Sequence, residues 1–261
     1  MAIPVTAAPG GFEPVTGRGG WAFALPAALP WLQDVMSSAH TLHGWAAAHP
    51  DRRELAGRGR VWSVPAEAPG PDDASRWVVR HYYRGGAVAR YLDDRYLAVG
   101  DPRPVREASA AAEARDRGIP TPSVVAGAVY PAGLFYRADL VTEEIPRAAD
   151  LASVLFESEE PLLDAETALA AAGVLVRRLE KAGVFHPDLN AKNIVLQSVE
   201  EGARAHLVDL DRCCPRVRGV PAPAYPMRRR LERSLRKFEA RAGRTLPAGA
   251  WTALHRGFGS L

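Results

Sequence analysis

The chain has 261 residues, 47% hydrophobic and 24% charged, with a formal net charge of +3; this is the composition of a folded soluble protein of one large or two small domains. No run of eighteen apolar residues offers a transmembrane helix, and the most apolar early stretch, Trp21–Leu32, holds Pro26 and Pro30 and lacks a basic leader, which argues against a signal peptide. Adjacent Cys213 and Cys214 form neither a disulfide framework nor a metal site and fit a reducing, cytosolic compartment. Residues 1–50 are rich in Ala, Pro and Gly and read as a partly ordered leader with one short helix. "RVWSV" and "RWVVRHYY" then read as two strands joined by the loop "PAEAPGPDD". Residues 104–117 read as a helix, with Pro104 in its first turn and Gly118 at its C-terminal cap. "SVVAGAVY" and "LFYRADLVT" form a hairpin around Pro131–Gly133, and a helix over 164–182 is opened by Asp164 and stopped by Gly183. Short strands and polar loops follow, then an amphipathic helix over 226–241 with apolar residues at Leu231, Leu235 and Phe238.

This order predicts an α+β chain: a small antiparallel sheet with one helix over 51–143, and a mostly helical lobe over 144–261. Charge is uneven. Residues 228–244 hold eight Arg or Lys against Glu232 and Glu239, so that window is +6 and the remainder about −3. Without interleaved aromatic and basic residues the pattern does not read as a nucleic-acid surface. It is either a solvated helix face or a face for an anionic membrane. No obligate protein partner is evident.

The chemistry concentrates in "VFHPDLNAKNIVL", residues 184–196, and "LVDLDR" after it. Asp and Asn are poor strand formers and costly to bury unpaired, so something must satisfy them. The pattern His-x-Asp-x4-Asn, then a strand ending in Asp, is the catalytic-loop spacing of protein-kinase-like enzymes. His186 and Asp188 are then catalytic-loop residues, with Asp188 acting on an acceptor hydroxyl; Asn193 and Asp209 are ligands of Mg2+ on ATP. Lys192 either neutralises the transferred phosphate or is a solvated loop residue. Asn190 bonds to backbone or to Asp188. Asp211 either adds a metal or substrate contact or pairs with Arg212.

A kinase also needs a cation on the α and β phosphates, and no lysine precedes Lys181. Arg80, two residues after Val78 on one strand face, takes that place, since a guanidinium grips phosphate bidentately. His81 and Arg84 are the competitors. Its anchor is Glu107 or Glu113, about 120° apart on the helix, and Glu107 shares its face with small residues that pack on a sheet. Gly57 and Gly59 precede a strand, where they cover phosphates or merely turn the chain. The backbone of Glu143, Glu144 and Ile145 would receive adenine. From Asp209 only 52 residues remain, too few for a protein kinase's peptide platform. A small-molecule acceptor, a sugar or a lipid-linked sugar, is expected.

"WVVRHYYRGGAVARYLDDRYL", "GLFYRADLVTEEIP", "FHPDLNAKNIVL", "VDLDR" and "LERSLRK" together resemble the 3-deoxy-D-manno-octulosonic acid (Kdo) kinases, which belong with the lipopolysaccharide core heptose kinases. The resemblance covers roughly residues 55–240, includes the arginine at the strand position and is poor over the first 50. It implies a protein-kinase-like bilobal fold and ATP-dependent phosphorylation of the Kdo 4-hydroxyl on a lipid A precursor, at the cytoplasmic face of the inner membrane. The alternatives are a phosphotransferase for another sugar or small molecule, such as a heptose or an aminoglycoside, and a nucleotide-binding pseudokinase.

Overall fold

The structure is a computed structural model that describes residues 8–17, 19–38, 41–55, 59–83, 94–158 and 160–259. Two compact units divide the chain, one of residues 1–109 and 122–144, the other of 110–121 and 145–261.

In the first unit the strands are β1 (Glu13–Gly17), β2 (Gly20–Ala24), β3 (Arg53–Leu55), β4 (Val61–Pro65), β5 (Arg76–His81), β6 (Tyr96–Leu97), β7 (Val124–Ala132) and β8 (Phe135–Glu143). They form one antiparallel sheet in the order β1-β2-β7-β8-β5-β4-β3, with β6 also on β8. Strand β5 alternates as a half-buried strand should. Trp77 and Val79 are fully buried in a core with Trp62 and Val64. Helices α1 (Leu29–Ser37) and α2 (Leu42–Ala48) cover that side, and the Trp31 ring meets Trp77 edge-on at 4.8 Å. Each such aromatic contributes about 1.5–3 kcal/mol by burial. The opposite side of β5, with Val78 and Arg80, faces the start of α3 (Arg103–Asp116), where Glu107 pairs with Arg80.

The stretch expected as a leader with one short helix is corrected here: residues 13–48 hold two strands and two α-helices. Proline misleads the sequence reading. Pro30 lies in the first turn of α1, where its missing N–H leaves no bond unmade. Strand β2, "GWAFA", lacks alternation because Trp21, Ala22, Phe23 and Ala24 are all buried. Thr41 opens α2 by accepting from the Gly44 N–H at 2.9 Å.

The second unit is built on α4 (Ala165–Lys181), opened by Asp164, which accepts from the Thr167 N–H at 2.9 Å, and followed by Gly183 at φ +68°. Its buried stripe of Leu169, Leu175, Val176 and Leu179 packs with α5 (Ala224–Ala242) and α6 (Ala248–Phe258). Helices α4 and α6 touch backbone to backbone: a Cβ on Gly173 would lie 2.4 Å from the Leu254 carbonyl oxygen. Strands β9 (Ala148–Asp150), β11 (Ile194–Val199) and β12 (Gly202–Leu207) form an antiparallel sheet, and β10 (Val184–Phe185) pairs with β13 (Cys214–Pro215). The polar loop lies between β10 and β11. The α+β class expected from the sequence is what these elements make.

Candidate functional site

In the first unit, strand β5 presents Arg80 to Glu107 of α3 as an ion pair. Glu107 is 3% exposed, and its Oε2 accepts from the Tyr82 hydroxyl at 2.6 Å. Burial, with the nearby Glu107 charge, pushes the Tyr82 phenol well above its usual range, so it stays a donor. The Arg80 guanidinium lies 5.1 Å from the Tyr82 ring and the Arg103 guanidinium 4.8 Å from it. A buried carboxylate held from two sides fixes the direction of Arg80. Glu113, the other candidate, pairs at 2.7 Å with Arg117, the residue that follows the helix. His81 is committed elsewhere, with Nδ1 2.6 Å from Asp139 and Nε2 3.2 Å from Asp94.

Gly57 and Arg84 lie outside the described residues. Gly59 has φ +75°, and a Cβ there would stand 2.4 Å from the Tyr83 ring, so this turn requires glycine. The amides of Glu143 and Glu144 are spent on the carbonyls of Ser123 and Arg76, each at 2.9 Å. The Glu143 carboxylate caps the 70–74 loop through the Asp72 and Ala74 N–H groups, at 2.8 and 3.1 Å. The Glu144 carboxylate accepts from the Ser63 hydroxyl. What this stretch can offer a base is the Glu144 carbonyl and the Ile145 N–H, which have no backbone partner among the described residues.

In the second unit, the loop from His186 to Asn193 is organised around the backbone of Asp188. The Asp188 carbonyl accepts from the side-chain amides of Asn190 at 2.8 Å and Asn193 at 3.1 Å. Asn190 Oδ1 accepts in turn from the Lys192 N–H at 2.9 Å. Because Asn193 spends its NH2 on the loop, the atom it can present to a ligand is its oxygen. His186 is 1% exposed and its Nδ1 accepts from the Asp188 N–H at 3.1 Å. Burial holds its ring below 6.5, against the opposing charges of Asp209, Asp188 and Asp211 and a backbone contact to Asp209. Three carboxylates therefore lie within electrostatic reach of one neutral imidazole.

Asp209, two residues past the end of β12, has φ +62°. Asp tolerates the left-handed region better than most residues, but holding it there costs about 1 kcal/mol or more, and such positions cluster at functional sites. Asn193 and Asp209 supply hard oxygen donors, the chemistry that Mg2+ takes. Among the described residues no three His, Cys, Asp or Glu side chains could hold a metal by themselves, so a cation here needs further oxygens.

Lys192 Nζ is held by Glu157 at 2.9 Å, above the Phe238 ring at 5.7 Å. The Lys192 hydrogen bond in turn lowers the Glu157 pKa. The relationship that sequence reading missed is at Asp188 itself. Its Oδ1 takes Arg230 Nη2 at 2.7 Å and Nε at 3.2 Å, and Arg212 lies 3.9 Å from Oδ2. The basic window was visible, but nothing in it singles out Arg230 among its neighbours.

A model of the lipopolysaccharide kinase (Kdo/WaaP) family matches residues 43–258. The 3-deoxy-D-manno-octulosonic acid kinase of Haemophilus influenzae is 34% identical over 171 residues, 64% of this chain and 67% of the relative. That of Actinobacillus succinogenes is 36% identical over 184 residues, 69% of this chain and 74% of the relative. That of Xanthomonas oryzae is 34% identical over 207 residues, 77% of this chain and 76% of the relative. The solved structure of WaaP in complex with acyl carrier protein is similar at TM-score 0.49 and 17% identity, over 94% of this chain and 88% of that one.

Proposed function

Because the chain belongs to the lipopolysaccharide kinase (Kdo/WaaP) family, we propose that it transfers the γ-phosphoryl group of ATP to the 4-hydroxyl of Kdo on a lipid A precursor. The observation that carries this reading is the loop in which the Asn193 side-chain amide donates to the Asp188 carbonyl while the Asp188 N–H donates to buried His186. It holds a carboxylate and an amide oxygen at fixed separation, as positioning an acceptor and a cation on phosphates requires.

Asp188 orients the acceptor hydroxyl and takes its proton as the new P–O bond forms and the bond to ADP breaks. Asn193 and Asp209 hold Mg2+, which screens the phosphate charge when bound. His186 keeps the loop in register through the Asp188 N–H. In the first unit Arg80, aimed by Glu107 and Tyr82, binds the α and β phosphates. The Glu144 carbonyl and Ile145 N–H receive adenine, and the turn at Gly59 covers the phosphates. Lys192 reaches the transferred group by exchanging from Glu157.

No helix among the described residues is long and apolar enough to cross a membrane. The exposed basic face of α5 supports a peripheral place on an anionic surface at the cytoplasmic side of the inner membrane, where the acceptor lies. Incubation with ATP, Mg2+ and Kdo-bearing lipid A precursor tests the function: phosphate must appear on the Kdo and not on the same lipid lacking Kdo.

A further inference from the structure

Beside Asp188, within the second unit, lies a cavity of about 380 Å³. His186 and Pro187 line it, together with Tyr225, Arg229, Arg230 and Arg233 of α5. Its volume falls in the range of small-molecule sites, about 300–1,000 Å³. Its charge is one-sided. Three arginines line it, and of these only Arg230 has a carboxylate partner among the described residues, namely Asp188. Arg229 is steadied by the Tyr225 hydroxyl at 2.9 Å and that ring at 5.5 Å, neither of which neutralises it. Arg233 has no ion pair among the described residues.

Arg230 has a further property. It spends Nε and Nη2 on a single oxygen, Asp188 Oδ1. A guanidinium has five N–H donors in a planar fork, so its other edge remains for a second oxyanion. One side chain can thus hold the base and an anionic acceptor at a fixed spacing. An acceptor that is a sugar acid carries its carboxylate on the same residue as the hydroxyl to be phosphorylated, whereas phosphates of the attached lipid sit on other residues.

Resting on the kinase reading above, we propose that this cavity is the acceptor subsite: Arg229, Arg230 and Arg233 grip the carboxylate of an acidic sugar, and Arg230 is the positioning residue that ties it to Asp188. Arg229 and Arg233 then act mainly on acceptor affinity. Arg230 acts on turnover as well, because it sets where the hydroxyl stands against the base.

The test compares kcat/KM for three acceptors: the Kdo-lipid, its carboxamide at the Kdo carboxylate, and the Kdo-lipid with the lipid phosphates removed. Wild type is expected to prefer acid to carboxamide by about 10- to 100-fold, the worth of charge-assisted hydrogen bonds. It should be less sensitive to loss of the lipid phosphates. In Arg229→Gln/Arg233→Gln the preference should shrink with KM raised. In Arg230→Gln it should collapse with kcat lowered as well, while Arg230→Lys should recover little because a point charge cannot bridge. Melting temperature and ATP binding, expected near wild type in all variants, separate these effects from misfolding. If wild type transfers phosphate to Kdo-lipid and the arginine variants keep the full preference, the subsite is overturned while the kinase reading stands. A wild type indifferent to the carboxylate but dependent on the lipid phosphates also overturns it. No transfer by wild type to any acceptor overturns the kinase reading, and the subsite with it.

Discussion

Glu107 accepts the Tyr82 hydroxyl at 2.6 Å on the same carboxylate that takes the guanidinium of Arg80. Removing Arg80 therefore leaves a buried carboxylate without its counter-charge and, if Arg80 binds the nucleotide as proposed, strips a phosphate contact. Arg80→Ala is expected to cost about 2–4 kcal/mol in kcat/KM for ATP, as for a charge-assisted contact in a dry site. Arg80→Lys should recover only part, since an ammonium cannot reproduce the fork. Steady-state kinetics with varied ATP checks this, and equal values for the three proteins would remove Arg80 from the nucleotide site.

Asp209 offers a cleaner test of the proposed metal ligands. Asn also tolerates the left-handed backbone seen at this position, φ +62°. Asp209→Asn should therefore fold normally while one metal oxygen loses its charge. Calorimetric titration with ATP should show weaker binding in Mg2+ and little change in EDTA. Unchanged affinity in Mg2+ would rule out the role.

His186 makes stability depend on pH in a defined direction. Burial lowers its folded-state pKa below 6.5, so between those two values the unfolded chain binds a proton that the folded one refuses. Its contribution is complete above 6.5 and lost as the pH falls through the folded-state value. His81 works the other way. Burial would lower it, but hydrogen bonds and charges from Asp139 and Asp94 outweigh that and raise its pKa, so its contribution is lost as the pH rises. Thermal melts of wild type and His186→Asn from about pH 7.5 to 5 isolate the first effect. Wild type should lose its lead, or fall further behind, as the medium turns acid. A pH-independent difference between the two would contradict it.

Lys237, Arg241 and Arg244 are exposed at the far end of the basic stretch, apart from the residues lining the cavity. Each is expected to add about 1 kcal/mol at an anionic surface. Reversing all three to Glu should leave folding intact, because such surface changes usually cost within about 0.5 kcal/mol. Binding to vesicles containing anionic lipid should fall, and the loss should shrink in high salt as screening shortens to about 3 Å at 1 M. Sedimentation that is indifferent to the reversal would make this a solvated face only.

The sequence makes legible what local chemistry decides. Asp164 and Gly183 punctuate α4, the alternation of β5 separates Trp77 and Val79 from Arg80, and the polar residues from His186 to Asn193 fold as one hydrogen-bonded loop. Legibility ends where long-range packing takes over. Strand β2 is all small and aromatic residues because both its faces are covered, so it shows no period. The pairing of Asp188 with Arg230 joins positions 42 residues apart, and α5 offers several equivalent arginines. Lys192 looks free in the sequence but is held by Glu157, 35 residues away.

The most direct measurement follows phosphate from ATP onto Kdo-lipid in single turnover, with wild type and Asp188→Asn side by side. Wild type is expected to give a phosphomonoester at the Kdo 4-hydroxyl, located by NMR of the product. Asp188→Asn should bind ATP as wild type does and transfer about 10²- to 10⁴-fold more slowly, the usual worth of a positioned base. Transfer by Asp188→Asn within a few-fold of wild type, or no phosphate on Kdo from wild type, would contradict the assignment.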